Sequence, residues 1–172
     1  MHDSLTPSDW VRRWSELVTR GPVLDVAAGA GRHSILFAER GLEVVAVDRE
    51  AQSIPGVRFV QADLEAGAWP FAGQRFAAIV VTNYLHRPLL PAIEAAVDEQ
   101  GVLLYETFMV GNERFGRPSN PAFLLQPGEL LQSFQALEPV AFEQGYVERP
   151  KPAMIQRLCA RRGDTGQVRI AP

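Results

Sequence analysis

The stretch "VLDVAAGAGRHSILFAERG", Val23 to Gly41, decides the fold. Its first five residues, apolar apart from Asp25, read as a short buried strand. Gly29 and Gly31 then let the backbone turn sharply and let another group approach closely. "RHSILFAER" reads as a helix that Gly41 stops. Strand, glycine corner and helix in that order open a βαβ unit.

The alternation continues outward. "EVVAVD" is a second strand and "VRFVQAD" a third, with only "REAQSIPG" between them, so a helix there must be very short. "FAAIVVTN" is a fourth strand, followed by a helix near "PLLPAIEAAVDEQ", and "GVLLYETF" is a fifth. Met109 to Gln126 is irregular, with Gly, Pro and Asn throughout. "PGELLQSF" reads as a helix, and "EPVAFEQGYV" and "AMIQRLCARR" as two late strands joined tightly by "ERPKP". Toward the N-terminus, Thr6 caps a helix with Pro7 in its first position. Trp10, Trp14, Leu17 and Val18 form its apolar stripe. The expected fold is α/β and Rossmann-like: a mostly parallel seven-stranded sheet, an antiparallel C-terminal hairpin, and helices on both faces. One domain is expected over 1–172, with an N-terminal helix at 1–20, a core at 22–162 and a flexible tail at 163–172.

Composition excludes several classes of function. With 47% apolar residues, the 172-residue chain can pack a core. A net charge of −3 argues against nucleic-acid binding driven by general charge. Cys159 is the only cysteine, and the three histidines His2, His33 and His86 lack metal-ligand spacing, so no disulfide and no metal is expected. No apolar run reaches membrane-spanning length and the N-terminus resembles no targeting segment, which makes a cytoplasmic protein the expectation. The sequence leaves monomer and homodimer open.

In an open parallel sheet, ligands sit at the carboxyl ends of the strands, where the strand order reverses. That rule puts Gly29–Gly31, Asp48, Asp63 and Asn83 on one rim. Asp48, with Arg49 beside it, is placed to accept hydrogen bonds from two ribose hydroxyls. Asp63 can accept from an adenine amino group while the Leu64 amide donates to a ring nitrogen. The plain alternative for either aspartate is a carboxylate that caps its own turn. A dinucleotide calls for a third glycine where Ser34 stands. S-adenosylmethionine has no phosphate and fits better. Its carboxylate can use the amides of Ala27, Ala28 and Gly29 together with Arg32, and Asp25 orders the turn.

These residues resemble the class I S-adenosylmethionine-dependent methyltransferases. "LDVAAGAG" is similar to their first motif, "VVAVD" to the second, "QADLE" to the third and "FAAIVVTNYL" to the fourth, across Pro22 to Arg162. Ala27 stands where that family usually has glycine. Within the family the chain resembles the small tellurite-resistance methyltransferases in "GAGRHSILFAERG", in length and in the "PGELLQSF" segment. That group has a His–Arg pair near the hairpin, where this chain has Glu148–Arg149. The resemblance implies a methyltransferase that acts on a small molecule, with a tellurite-, selenite- or thiol-like acceptor and S-adenosylhomocysteine as product.

Few residues are candidates for work on the acceptor. His86 is a possible base or a helix-capping histidine, and Tyr84 a pocket wall or a core aromatic. Arg87 and Arg149 can bind an anion or remain solvated. The stretch Met109–Gln126 is too long for a mere connector and supplies Phe115, Arg117, Asn120 and Phe123. The first-helix tryptophans serve as a lid or as core. Two rival functions stay open: a nucleotide-linked oxidoreductase, and a non-catalytic cofactor-binding subunit or sensor.

Overall fold

A computed structural model describes residues 5–166 and 168–170. The elements in chain order are α1 (Asp9–Trp14), β1 (Val23–Val26), α2 (Arg32–Ala38), β2 (Val44–Asp48), β3 (Arg58–Gln61), β4 (Phe76–Thr82), α3 (Leu90–Ala96), β5 (Val97–Phe108), α4 (Glu129–Ser133), β6 (Glu138–Val147) and β7 (Ala153–Arg161). They build one seven-stranded sheet in the order β3-β2-β1-β4-β5-β7-β6. The first five strands are parallel, and β7 runs antiparallel between β5 and β6. The expected architecture is therefore present. β1 lies between β2 and β4, so the strand order reverses there.

β1 is buried at every position and β4 at all but its last, as strands covered on both faces must be. Side chains alternate between the faces. Leu24, Val26, Ile79, Val81 and Tyr105 pack toward α3 and α4. Val23, Ala78, Val80 and Leu104 pack toward α1 and α2. Trp10 and Trp14 meet edge to face at 5.8 Å, and the Trp10 indole donates to the Leu158 carbonyl. Both tryptophans are buried core and not a lid.

Several expectations need correction. Ser8, not Thr6, caps α1, its hydroxyl accepting the Val11 N–H. The helix is also shorter than 1–20; residues 1–4, with His2, lie outside the described residues. β2 and β3 are joined by a turn at Pro55–Gly56 with no helix. The helix after β4 ends at Ala96, because Val97 pairs with Phe76 and the following residues lead into β5. Among its described residues the tail has no regular element, and Arg13 donates to the Ile170 carbonyl at 2.7 Å.

Candidate active site

The site begins with the corner after β1. Ala27, Gly29 and Gly31 all take positive φ, at 53°, 54° and 83°. This winding turns the chain within a few residues and leaves the corner open, with nothing within 4 Å of where a Gly29 side chain would start. At Gly31 a side chain would collide with Ile54, 2.5 Å away, so glycine is required on both counts. The Ala28 N–H donates to the Val47 carbonyl and the Gly31 N–H to the Ala28 carbonyl.

Asp25 fastens the corner from below. Its Oδ2 accepts from both the Ser34 N–H and the Ser34 hydroxyl, at 3.0 and 2.6 Å. Burial pushes its pKa up to about 6, and the two Ser34 bonds only partly oppose that rise. Ser34 thus anchors the carboxylate from the position where a dinucleotide site has its third glycine. Arg32 donates to the Thr6 carbonyl at 3.2 Å and holds the N-terminal segment beside the corner. His33 strengthens the same link. Its Nε2 accepts the Ser8 N–H, which leaves the proton on Nδ1, 3.3 Å from the Thr82 hydroxyl. Burial lowers its pKa to about 3, so the ring is neutral.

A cleft over the corner is lined by Ala27, Asp48, Arg49, Asp63, Leu64 and Tyr84, together with Ala62 and Glu65. Six expected residues from four separate segments converge here. Asp48 accepts the Gly29 N–H on Oδ2 and the Glu50 N–H on Oδ1. Asp63 accepts the Glu65 and Ala66 N–H groups on Oδ1. Each carboxylate therefore caps a turn and also faces the cleft, because a carboxylate offers about four acceptor sites. Tyr84 forms a wall, its phenol pKa pushed up to about 12 by burial and then by Glu65, Asp63 and Asp48. The buried Tyr105 hydroxyl donates to the Tyr84 carbonyl at 2.8 Å and fixes the floor.

Other expected residues lie outside the cleft. Asn83 is exposed at the end of β4, with φ 53° and its N–H on the Glu106 carbonyl. His86 is half-buried and opens the turn before α3. Arg149 is exposed between β6 and β7. Arg87 is not available to an anion: it bridges both Glu129 oxygens at 2.8 and 2.9 Å and donates to the Ala122 and Leu124 carbonyls. Sequence reasoning missed Ala62 and Glu65, whose only signal is that they flank Asp63. It also missed the buried role of His33, which no local pattern marks. Among the described residues no cluster suits a metal, and no helix is long and apolar enough to cross a membrane.

Residues 23–104 match the methyltransferase domain family. The demethylmenaquinone methyltransferase of Renibacterium salmoninarum is 36% identical over 85 residues, covering 41% of this chain and 35% of that protein. TehB of Haemophilus influenzae aligns with a TM-score of 0.75 at 15% identity, over 94% of this chain and 64% of that one. The glycopeptide N-methyltransferase MtfA, in complex with S-adenosylhomocysteine, aligns with a TM-score of 0.60 at 17% identity, over 89% and 88%. The chain spans about a third of the curated relative and less than two thirds of TehB. Residues 23–104 are thus similar to a methyltransferase domain, and the chain as a whole shares the seven-stranded α/β fold of these solved methyltransferases.

Proposed function

We propose that the chain is an S-adenosylmethionine-dependent methyltransferase acting on a small molecule. The observation that carries this is the convergence of Asp48 and Asp63 on one cleft above an open glycine corner. The site suits this cofactor through two carboxylates with acceptor capacity to spare and an apolar floor, with no requirement for a phosphate cradle. The Ala28, Gly29 and Gly31 amides are already committed to the Val47 carbonyl, Asp48 and the Ala28 carbonyl, so the expected use of the Ala28 and Gly29 amides by the cofactor's carboxylate gives way to Arg32. In this reading Asp48 accepts from the ribose hydroxyls, with Arg49 at the cleft mouth. Asp63 accepts from the adenine amino group, the Leu64 amide donates to the ring, and Tyr84 packs against it. The backbone of Ala27, Ala28, Gly29 and Gly31 meets the amino-acid end. Arg32 keeps donors beyond its Thr6 bond for the carboxylate, and Asn83 closes the methyl end.

The cofactor supplies an electrophilic methyl carbon: the acceptor's lone pair bonds to it as the carbon–sulfur bond breaks, and sulfur keeps that pair. What the chain contributes is alignment, which is worth about 7–11 kcal/mol in well-oriented reactions. His86, two residues beyond Tyr84, is our candidate base or orienter for a hydroxyl or amine acceptor. Arg149 is our candidate cation for an anionic one. A soft or anionic acceptor of the tellurite, selenite or thiol kind is supported by the likeness to TehB. Burial pushes the Cys159 thiol up to about 12, so it remains a protonated, inert thiol. We take the protein to be a monomer or homodimer.

Calorimetry with S-adenosylmethionine and S-adenosylhomocysteine tests the assignment. Binding of both at micromolar affinity is expected, with NADH left unbound. No heat from either ligand rules the reading out. Binding without turnover on any acceptor leaves a sensor or partner subunit.

A further inference from the structure

The rim is divided electrically. Its β1–β4 end carries Asp48, Asp63 and Glu65 around the cleft. Its β5–β7 end carries Arg114 and Arg117 on the loop after β5, and Arg149 and Lys151, the only lysine, on the turn before β7. Among the described residues, none of these four lies within ion-pairing distance of a carboxylate. The same segments hold two acids: Glu113, which accepts the Gly111 N–H, and the exposed Glu148.

A solvated basic face is the ordinary explanation. Aromatic rings interleaved with the cations point elsewhere. Phe115 stacks on Tyr146 at 5.2 Å, yet they stay 42% and 51% exposed. The Arg114 guanidinium lies 5.7 Å from the Phe115 ring and the Lys151 ammonium 6.0 Å from Phe108, both within cation–π reach. The two segments are also fastened together. Buried Asn112 accepts the Met154 N–H and donates to the Pro118 carbonyl, pinning the loop to the start of β7. An open groove of about 530 Å³, lined in part by Glu143, Tyr146, Val147, Ile155 and Arg157, adjoins this face at Tyr146. Arg157 there is already paired with Glu106 and Glu143, so the groove adds room and apolar surface but no free cation. Its volume is in the small-ligand range.

Resting on the methyltransferase reading, but not on the tellurite-, selenite- or thiol-like acceptor that the likeness to TehB suggests, we infer that this cation-and-ring cluster is the acceptor subsite, and that the acceptor is an elongated aromatic anion. Its rings lie on Phe115 and Tyr146, and its carboxylate meets Arg149 and Lys151. Its nucleophile reaches back across β5 to the methyl position near Tyr84. β7 stands two strands from β4, about 10 Å, so a single ring is too short. With a hydroxyl nucleophile, oxygen bonds to the methyl carbon, the carbon–sulfur pair stays on sulfur, and the hydroxyl proton passes to His86, the candidate base.

The test uses the full chain loaded with S-adenosylhomocysteine and titrated with 4′-hydroxybiphenyl-4-carboxylate, 4-hydroxybenzoate, uncharged 4-hydroxybiphenyl and selenite. The long acid is expected to bind at least tenfold tighter than the others. The Arg149→Ala/Lys151→Ala double variant, and Phe115→Ala, should each weaken it at least tenfold while moving the S-adenosylhomocysteine affinity less than twofold. Equal binding of acid and uncharged biphenyl, indifference to the double variant, or selenite turnover that the variant leaves intact would each overturn the subsite. If S-adenosylhomocysteine itself does not bind, the underlying enzyme assignment fails first, and the two failures are thereby told apart.

Discussion

Between β1 and β4 the chain turns its corners in a few residues, and the corners are held by carboxylates that cap their own turns, with one bond, from the Gly29 amide to Asp48, tying two neighbouring corners together. Asp48 bonds the amides of Gly29 and Glu50, and Asp63 those of Glu65 and Ala66. Between β5 and β7 it takes the long irregular path from Met109 to Gly128, and that path is held by side chains from elsewhere. Arg87 clasps Glu129 and two loop carbonyls, Asn112 reaches Met154, and Gln156 reaches Leu130 and Gln126. Locally closed corners make a rigid, generic cleft. A path held by long-range clasps can vary in its exposed residues without disturbing the strands. The first end suits a ligand common to a family and the second a ligand particular to one member.

The most damaging break is expected at Asp25, on the rigid end. Asp25→Ala leaves the buried Ser34 N–H and hydroxyl without an acceptor and should cost about 3–4 kcal/mol in urea unfolding. The same carboxylate sets a pH dependence. Its pKa is about 6 when folded, against 3.8 as the reference value, so between those values the folded state holds more protons. Its contribution to stability is full below about pH 4 and lost by about pH 7, a fall of about 3 kcal/mol. Asp25→Asn cannot titrate. The stability difference between wild type and this variant should therefore slope downward with rising pH, and a flat difference would show that burial does not shift the group.

Asp48→Ala probes the cleft with less cost to the fold. It should weaken S-adenosylhomocysteine by about 2–3 kcal/mol as the paired acceptor is lost. Asp63→Ala should have a smaller effect, because in this reading Asp63 accepts a single bond from the adenine amino group where Asp48 accepts from two ribose hydroxyls. Unchanged affinity in Asp48→Ala would refute the ribose assignment. Arg87→Ala sharpens the contrast from the other end. It should lower stability by about 2 kcal/mol through lost charge-assisted bonds and speed hydrogen exchange in residues 121–129. Cofactor affinity should stay within twofold. A large loss of cofactor affinity would mean that the two ends are coupled.

The same contrast governs what the sequence reveals. Asp48, Asp63, Leu64 and Tyr84 are legible because each lies at or just beyond a strand end, which the strand pattern alone locates. Sequence pattern picks Thr6 as the cap of the first helix, with Pro7 after it, and the structure uses Ser8 instead. Ser8 is selected partly by His33, 25 residues away, which local pattern does not report. Arg87 reads as a free cation until Glu129, 42 residues on, is found against it. The helix after β4 looks longer than it is because "VDEQ" suits a helix, while Val97 is claimed by pairing with Phe76. Ser34 is conspicuous in sequence only for not being glycine, and its bond to Asp25 gives it a role.

The finest distinction concerns Ala27, where the resemblance leads one to expect glycine. It sits at φ 53°, where its Cβ costs about 1–2 kcal/mol relative to a right-handed conformation. Glycine would relieve that strain, but it adds about 0.4–1 kcal/mol of freedom to the unfolded chain. The two effects nearly offset, so Ala27→Gly should stabilise by under about 1 kcal/mol. Ala27 also lines the cleft, so removing its methyl group changes the cleft's apolar surface along with the backbone strain. Ala27→Val separates the two effects. A β-branched residue is worse still at positive φ, so Val should destabilise where Gly does not. If Ala27→Val is tolerated as well as Ala27→Gly, the corner is looser than its winding implies, and the contrast between a rigid end and a clasped end weakens where it is drawn most sharply.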